Sequence, residues 1–256
     1  MIEVRGVDIE IGGRRLLDGL DFTIERSEIV AVLGPNGVGK TTLLRAVAAM
    51  HPVARGSVRV DGAEVARLPS AARARCIAFV TADDTLTDAL SVHDVVAIGR
   101  YPHHEWWEWS ATAADREAVA RALHEVRMED FADRLFGTLS SGERQRVFIA
   151  LGLAQETPVL LLDEPTSHLD VRVAHEILAL LRDLARAGKS VVCVLHDLNE
   201  AAAHADRILL LGCGTLLASG DAPAVFKPEI LETAYGLPME AVQTSGGIRV
   251  FPANAR

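Results

Sequence analysis

The chain has 256 residues, 49% of them hydrophobic and 24% charged, with a formal net charge of −9. That composition supports a sizeable core and excludes wholesale disorder, and the length suits one large domain or a domain with a sub-domain. The acidic balance argues against a general nucleic-acid binder, which carries a basic face, and no run approaches the roughly 18 apolar residues of a membrane span.

The opening, MIEVRGVDIE, holds acidic residues and no apolar h-region, so it is not expected to act as a secretory leader. Residues 2–33 read as short strands with turns, and Glu10-Ile11-Gly12-Gly13 is a turn signal. The run from Glu28 to Leu33 is nearly all apolar and ends at a glycine, which suits a strand buried on both faces. The segment Gly34-Pro35-Asn36-Gly37-Val38-Gly39-Lys40-Thr41-Thr42 follows it. This segment fits GxxxxGK followed by Ser or Thr, and residues 40–50 after it have helical composition. Glycines let backbone N–H groups turn inward around phosphate, and a helix N-terminus adds partial positive charge. Lys40 is placed to reach the β- and γ-phosphates of ATP, and Thr41 to bind Mg²⁺ through its hydroxyl.

Further strands are expected at Cys76–Val80, Val159–Leu162, Val191–Leu195 and Ile208–Leu211, with helical stripes at 115–127 and 174–186. Strands alternating with helices predict an α/β core around a parallel sheet. The stretch from about 83 to 155 has little strand signal and is expected to form a helical sub-domain inserted into that core. Within it, Trp106, Trp107 and Trp109 follow His103 and His104. The tryptophans fit either sub-domain packing or a surface for a membrane partner. Adjacent histidines without a third ligand make a poor metal site. Cys76, Cys193 and Cys213 have no metal-ligand spacing and read as reduced thiols.

Leu139-Ser140-Ser141-Gly142-Glu143 precedes Arg144-Gln145-Arg146 and an apolar helix, and Ser140 and Glu143 have capping-box spacing. Val159–Leu162 ends on Asp163 and Glu164, two carboxylates at the ligand-binding edge of a parallel sheet. Asp163 is expected to hold Mg²⁺, and Glu164 to orient or deprotonate the attacking water, in a reaction that needs mainly positioning and charge neutralisation. Ser167-His168-Leu169-Asp170 follows, and His196 ends the apolar run VVCVL.

Together these segments resemble, over nearly the whole chain, the nucleotide-binding subunit of ABC transporters. The nucleotide loop is at 34–41, the signature at 139–143, the second acidic motif at 159–164, the D-loop at 167–170 and the switch histidine at 196. The resemblance implies a P-loop NTPase fold: a RecA-like core, an antiparallel β sub-domain and the inserted helical sub-domain. It also implies a homodimer in which one copy's nucleotide loop and the other's Ser140, Ser141 and Gly142 face one γ-phosphate. His196 would contact that phosphate and Asp170 would link the two sites. The implied partners are transmembrane permease subunits and a solute-binding protein, and the implied location is the cytoplasmic face of the cell membrane. A narrower resemblance, to the subunits of iron–siderophore, haem and vitamin B12 importers, rests on Val95–His103, Leu195–Ala201 and Tyr235-Gly236-Leu237-Pro238.

Three positions depart from the family. Ile11 stands where an aromatic residue stacks on adenine, Ala82 where the Q-loop glutamine belongs, and LSSGE where LSGGQ is usual, so that Ser141 replaces a glycine. The expectation is a working but altered ATPase. Two alternatives stay open: a nucleotide-dependent regulatory or binding module with impaired hydrolysis, and a soluble ABC ATPase outside transport. The latter usually carries two cassettes, coiled-coil insertions or basic arms, none of which the sequence shows.

Overall fold

The computed structural model describes residues 1–81, 88–104 and 110–253. Ala82, Asp83, Asp84 and the three tryptophans lie outside the described residues. In chain order the strands and helices are β1 (Ile2–Ile11), β2 (Arg14–Ile24), β3 (Ile29–Leu33), α1 (Lys40–Val47), β4 (Arg55–Val60), β5 (Ala63–Glu64), α2 (Ser70–Ala74) and β6 (Ile77–Thr81). They continue with α3 (Val92–Ala97), α4 (Ala113–Glu125), α5 (Ser141–Ala154), β7 (Val159–Asp163), α6 (Val171–Arg186), β8 (Ser190–Val194) and α7 (Leu198–His204). The last are β9 (Arg207–Gly212), β10 (Thr215–Gly220), α8 (Ala222–Val225), α9 (Pro228–Tyr235), β11 (Met239–Thr244) and β12 (Gly247–Pro252). The chain divides into two compact units, Met1–Leu68 with Leu181–Arg256, and Pro69–Leu180.

In the first unit an antiparallel sheet has the order β2-β1-β4-β5. Where the sequence suggested short strands, β1 and β2 run 10 and 11 residues. Gly12 and Gly13 join them with φ of 57° and 76°, the two positive values of a type I′ hairpin turn. Strand β3 lies between β8 and β9 and is parallel to both. Every residue of β3 and β8 is buried, as expected for strands covered on both faces. Cys193 sits in β8, fully buried, and burial pushes its thiol up to about 12. Strand β10 turns back antiparallel on β9 through Cys213 and Gly214, again with two positive φ values. A separate hairpin, β11–β12, is held to α7 by Asn199. Its side-chain amide donates to the Val250 carbonyl at 3.1 Å and accepts the Val250 N–H at 2.8 Å.

In the second unit β6 and β7 pair in parallel, with Thr81 opposite Asp163. Helices α3, α4 and α5 pack around Val92, Val95, Val119, Leu123, Val147 and Ile149, all buried, and Phe136 meets Phe148 edge to face at 5.3 Å. Each of these helices starts on a side-chain cap. Ser91 accepts the Asp94 amide, and complete capping boxes open α4 (Thr112 with Asp115) and α5 (Ser140 with Glu143). Among the described residues, no helix is long and apolar enough to cross a membrane.

Candidate functional site

Strand β3 delivers the chain into the glycine loop, and three glycines there hold backbone that other residues adopt only under strain. Gly34, Gly37 and Gly39 have φ of 146°, 78° and 108°. A Cβ on Gly34 would stand 2.5 Å from the Leu211 carbonyl oxygen, and one on Gly39 about 3 Å from the Leu16 side chain, so both glycines also permit close packing. Helix α1 begins at Lys40 with left-handed Gly39 as its N-cap and no acidic residue in its first turn. Lys40 is only 6% exposed, and its ammonium donates to the Gly34 and Pro35 carbonyls at 2.9 and 3.1 Å. The loop therefore holds a buried positive charge at the positive end of a helix, the electrostatics of a phosphate cradle. Thr41 and Thr42 continue the first turn, with Asn36 and Gly37 exposed at the loop's tip and Val38 packed beneath, its Cγ1 3.0 Å from the ideal Gly34 Cβ position.

Two other expected residues belong to the same unit. The parallel register of β3 and β8 pairs Val32 with Val194, and the Leu195 N–H donates to the Val32 carbonyl at 3.2 Å. His196 follows Leu195 just past the end of β8 and is exposed. Asp197 caps α7 immediately afterwards by accepting two amides. Ile11, at the tip of β1, is 51% exposed, so an apolar face is presented where the family sets an aromatic ring.

The second unit carries the other expected groups. Asp163 ends β7, four buried residues after its start. Glu164 follows in the left-handed region at φ 54°, an unfavourable conformation for a residue with a Cβ. Its carboxylate accepts the Ser167 hydroxyl at 3.1 Å, which fixes the side chain within its own turn. His168 is left-handed as well, at φ 63°. Asp170 then accepts the Val173 amide at 3.0 Å and caps α6, a structural task that its spacing to Val173 carried and the sequence reading did not extract.

The signature and the D-loop come together. Ser140, Ser141, Gly142, Glu143, Asp170 and Val173 share one cavity of about 270 Å³. Gly142 is buried because α6 passes over it: a Cβ there would fall 2.6 Å from Val173 Cγ1. Ser141 is exposed at the edge of that cavity. Glu143 turns back as its capping-box spacing predicted, accepting the Ser140 N–H at 2.8 Å and the Ser140 hydroxyl at 2.7 Å. Those two bonds hold its carboxyl below the usual value.

Thr41 and Asp163 offer a hydroxyl and a carboxylate, the oxygen donors that Mg²⁺ takes beside substrate phosphates. Among the described residues no three His, Cys, Asp or Glu gather as an all-protein metal site. His103 and His104 are engaged separately, His103 Nε2 with the Gln155 carbonyl at 2.9 Å and His104 Nε2 with Asp115 at 3.0 Å. Their neighbour Arg100, 6% exposed, binds Asp115 at 2.9 Å, Glu156 at 2.6 Å and the Ala154 carbonyl at 2.7 Å. It sets a cation on the C-terminal carbonyls of α5, where the helix dipole is negative. Hydrogen bonds from Thr112 and Arg100 outweigh burial and hold Asp115 ionised, far below the usual carboxylate range. No local pattern announces this role, because its partners lie on α4 and past the end of α5.

Comparison with known proteins matches residues 17–167 to the ABC transporter family. The hemin import ATP-binding protein HmuV of Streptomyces coelicolor is 42% identical over 96% of this chain and 88% of its own length. The cobalamin import ATP-binding protein BtuD of Halobacterium salinarum is 40% identical over 91% of this chain and 58% of its own. Among solved structures, one described as a metal-chelate type ABC transporter in an inward-facing conformation superposes with a TM-score of 0.86 at 29% identity. It covers 99% of this chain and 97% of that one.

Proposed function

The chain belongs to the ABC transporter family, as an ATP-binding subunit homologous to those of metal-chelate importers, and from that premise we propose that it hydrolyses ATP to drive uptake of a metal chelate. Haem, a ferric siderophore and cobalamin are the candidate solutes, and permease subunits with a solute-binding protein are the partners. The chain would sit at the cytoplasmic face of the membrane through those subunits. The observation that carries the ATPase reading is the glycine loop itself, with its buried lysine and an α1 N-terminus free of acidic residues.

In this reading Lys40 and the loop amides from Gly34 to Thr42 bind the phosphates of ATP. Thr41 and Asp163 would hold Mg²⁺, which would supply positive charge to offset that of the phosphates. Glu164, restrained by Ser167, orients the attacking water and accepts its proton. His196, exposed just past the end of β8, contacts the γ-phosphate. Ile11 lies against the base through apolar contact alone. A second copy supplies Ser140, Ser141 and Gly142 to the same nucleotide, and Asp170, already bound to the α6 N-terminus, keeps the D-loop rigid where the two copies meet.

The test is the solution mass of Glu164→Gln with and without Mg-ATP. The expected result is a monomer without nucleotide and a dimer with it, and turnover at least about 100-fold below wild type. A Glu164→Gln chain that still turns over at the wild-type rate would falsify the assignment. The solute is tested in vesicles carrying the assembled importer: one of the three chelate classes should stimulate ATP turnover, and none doing so removes the chelate reading while leaving the ATPase intact.

A further inference from the structure

His196 stands between two anchors in its unit. Before it, buried Leu195 donates its N–H to the Val32 carbonyl of β3 at 3.2 Å. After it comes α7, only seven residues long, and a helix that short takes its place from tertiary contacts rather than from its own hydrogen bonds. Leu198 and Ala201 are buried along it. Asp197 caps it, one carboxylate oxygen accepting the Asn199 N–H at 2.6 Å and the Glu200 N–H at 3.3 Å. The Asn199 side chain then leaves the helix for β12, where its amide donates to the Val250 carbonyl at 3.1 Å and accepts the Val250 N–H at 2.8 Å. Among the described residues β12 pairs with β11 alone, so Asn199 takes the place of a further strand at that residue. Val250 is only 6% exposed, and both of its backbone groups would be costly to bury without partners.

We propose that Asn199 is a positioning residue for ATP turnover: by clasping β12 it lets the β11–β12 hairpin fix the start of α7, and with it the place of His196 at the γ-phosphate. The inference rests on the reading of His196 as the residue that meets that phosphate.

The residue type suits the task. An amide presents a donor and an acceptor side by side, as a peptide unit does, whereas aspartate lacks the donor and glutamine is one methylene longer. Asn199 also joins both ends of the connection in one residue. Its backbone N–H holds Asp197, the neighbour of His196. Its side chain holds a hairpin whose ends are tied by the Ala253 N–H to the Pro238 carbonyl at 2.9 Å. Without the clasp, the Asp197 turn keeps its local bonds but loses its fixed position against β12. A group that must meet a phosphate in the transition state loses rate when its position is loosened. Binding of ATP is left to the glycine loop and Lys40, so the loss falls on kcat and not on affinity.

The experiment measures ATP turnover in the assembled importer, and Mg-ATP affinity of the full chain, for single and double variants. His196→Ala should lower turnover. Asn199→Ala removes both bonds to Val250 and should lower kcat by about threefold to tenfold, the weight of a lost hydrogen bond, with ATP affinity unchanged. Added to His196→Ala, it should have no further effect, since a residue that acts through the histidine has nothing left to position. Asn199→Asp keeps the shape and one of the two bonds, and carries the same test if Asn199→Ala does not fold. Thr244→Ala cuts a bond in the hairpin's turn, from the Thr244 hydroxyl to the Gly247 carbonyl at 2.7 Å, and should turn over at the wild-type rate. If His196→Ala also turns over at the wild-type rate, the reading of the histidine fails and the inference with it. If His196→Ala is slow but both Asn199 variants stay within about twofold of wild type, the reading stands and the inference is overturned. An equal further loss in the double variant overturns it too, because the asparagine then acts on something other than the histidine. So does a matching loss of ATP affinity, which marks general damage to the unit.

Discussion

Helix α1 begins on left-handed Gly39 with no acidic residue in its first turn, whereas α5 begins on Ser140 with both bonds of a capping box in place. Both open a helix, and both belong to motifs that the family brings to phosphate. Their electrostatics are opposite. The first keeps a buried cation at the positive end of the helix. The second has already placed a carboxylate there, and the Ser140 hydroxyl proton points at that carboxylate. A helix N-terminus is worth roughly 0.3–1 kcal/mol to an anion, and the anion can belong to the protein or to the ligand. At α1 the chain leaves that interaction to the ligand. At α5 it uses the interaction for its own stability, and a γ-phosphate brought by a partner copy would meet a negative charge.

Removing the cation should have the largest effect. Lys40→Ala should lower ATP affinity about 100-fold or more, because charge-assisted contacts to phosphate are the strong ones, and a fluorescent ATP analogue would read it directly. The next variant makes α1 resemble α5. Thr42 occupies the third helical position of α1, as Glu143 does in α5. Thr42→Glu should weaken ATP binding by roughly tenfold while leaving or slightly raising thermal stability, consistent with dipole and repulsion energies of about 1 kcal/mol. Loss of affinity with a falling melting temperature would mean local damage rather than charge.

The smallest effect comes from making α5 resemble α1. Glu143→Gln keeps the acceptor oxygen and removes the charge. ATP-driven dimerisation, measured in the Glu164→Gln background, should tighten by about twofold to fivefold. Acid stability supplies the check. The Glu143 carboxyl is held below its ordinary 4.5 in the folded chain. Its contribution is thus complete above that pH and is lost as the pH falls through the depressed folded value. Glu143→Gln should flatten that part of the acid-unfolding profile and leave the profile above pH 5 unchanged. No gain in dimerisation would show that the carboxylate faces away from the arriving nucleotide.

The two regions also differ in how far the sequence revealed them. The glycine loop was fully legible, because each of its requirements is local: positive φ at Gly37 and Gly39, a lysine at the first helical position, an apolar strand before it. The capping box of Ser140 and Glu143 was legible for the same reason, three residues being one helical turn. The short-strand reading of residues 2–33 underestimated β1 and β2, since their partly exposed faces blur the apolar alternation that marks a strand. Arg100 lies in the Val95–His103 stretch that resembles a subfamily, yet what it does is ion pairing with Asp115 and Glu156.

What the sequence determined by itself is therefore the order of its local devices: a glycine loop with a lysine at a helix start, two carboxylates at a strand end and a capping box opening α5. Local backbone geometry dictates those facts, and it is encoded within a few residues. Only the tertiary structure decided that Gly142 must be bare because Val173 passes over it, and that Gly34 must be bare because the Leu211 carbonyl lies against it. These depend on which distant backbones approach within a few ångströms, and steric fit between elements leaves no periodic trace in the chain that makes them.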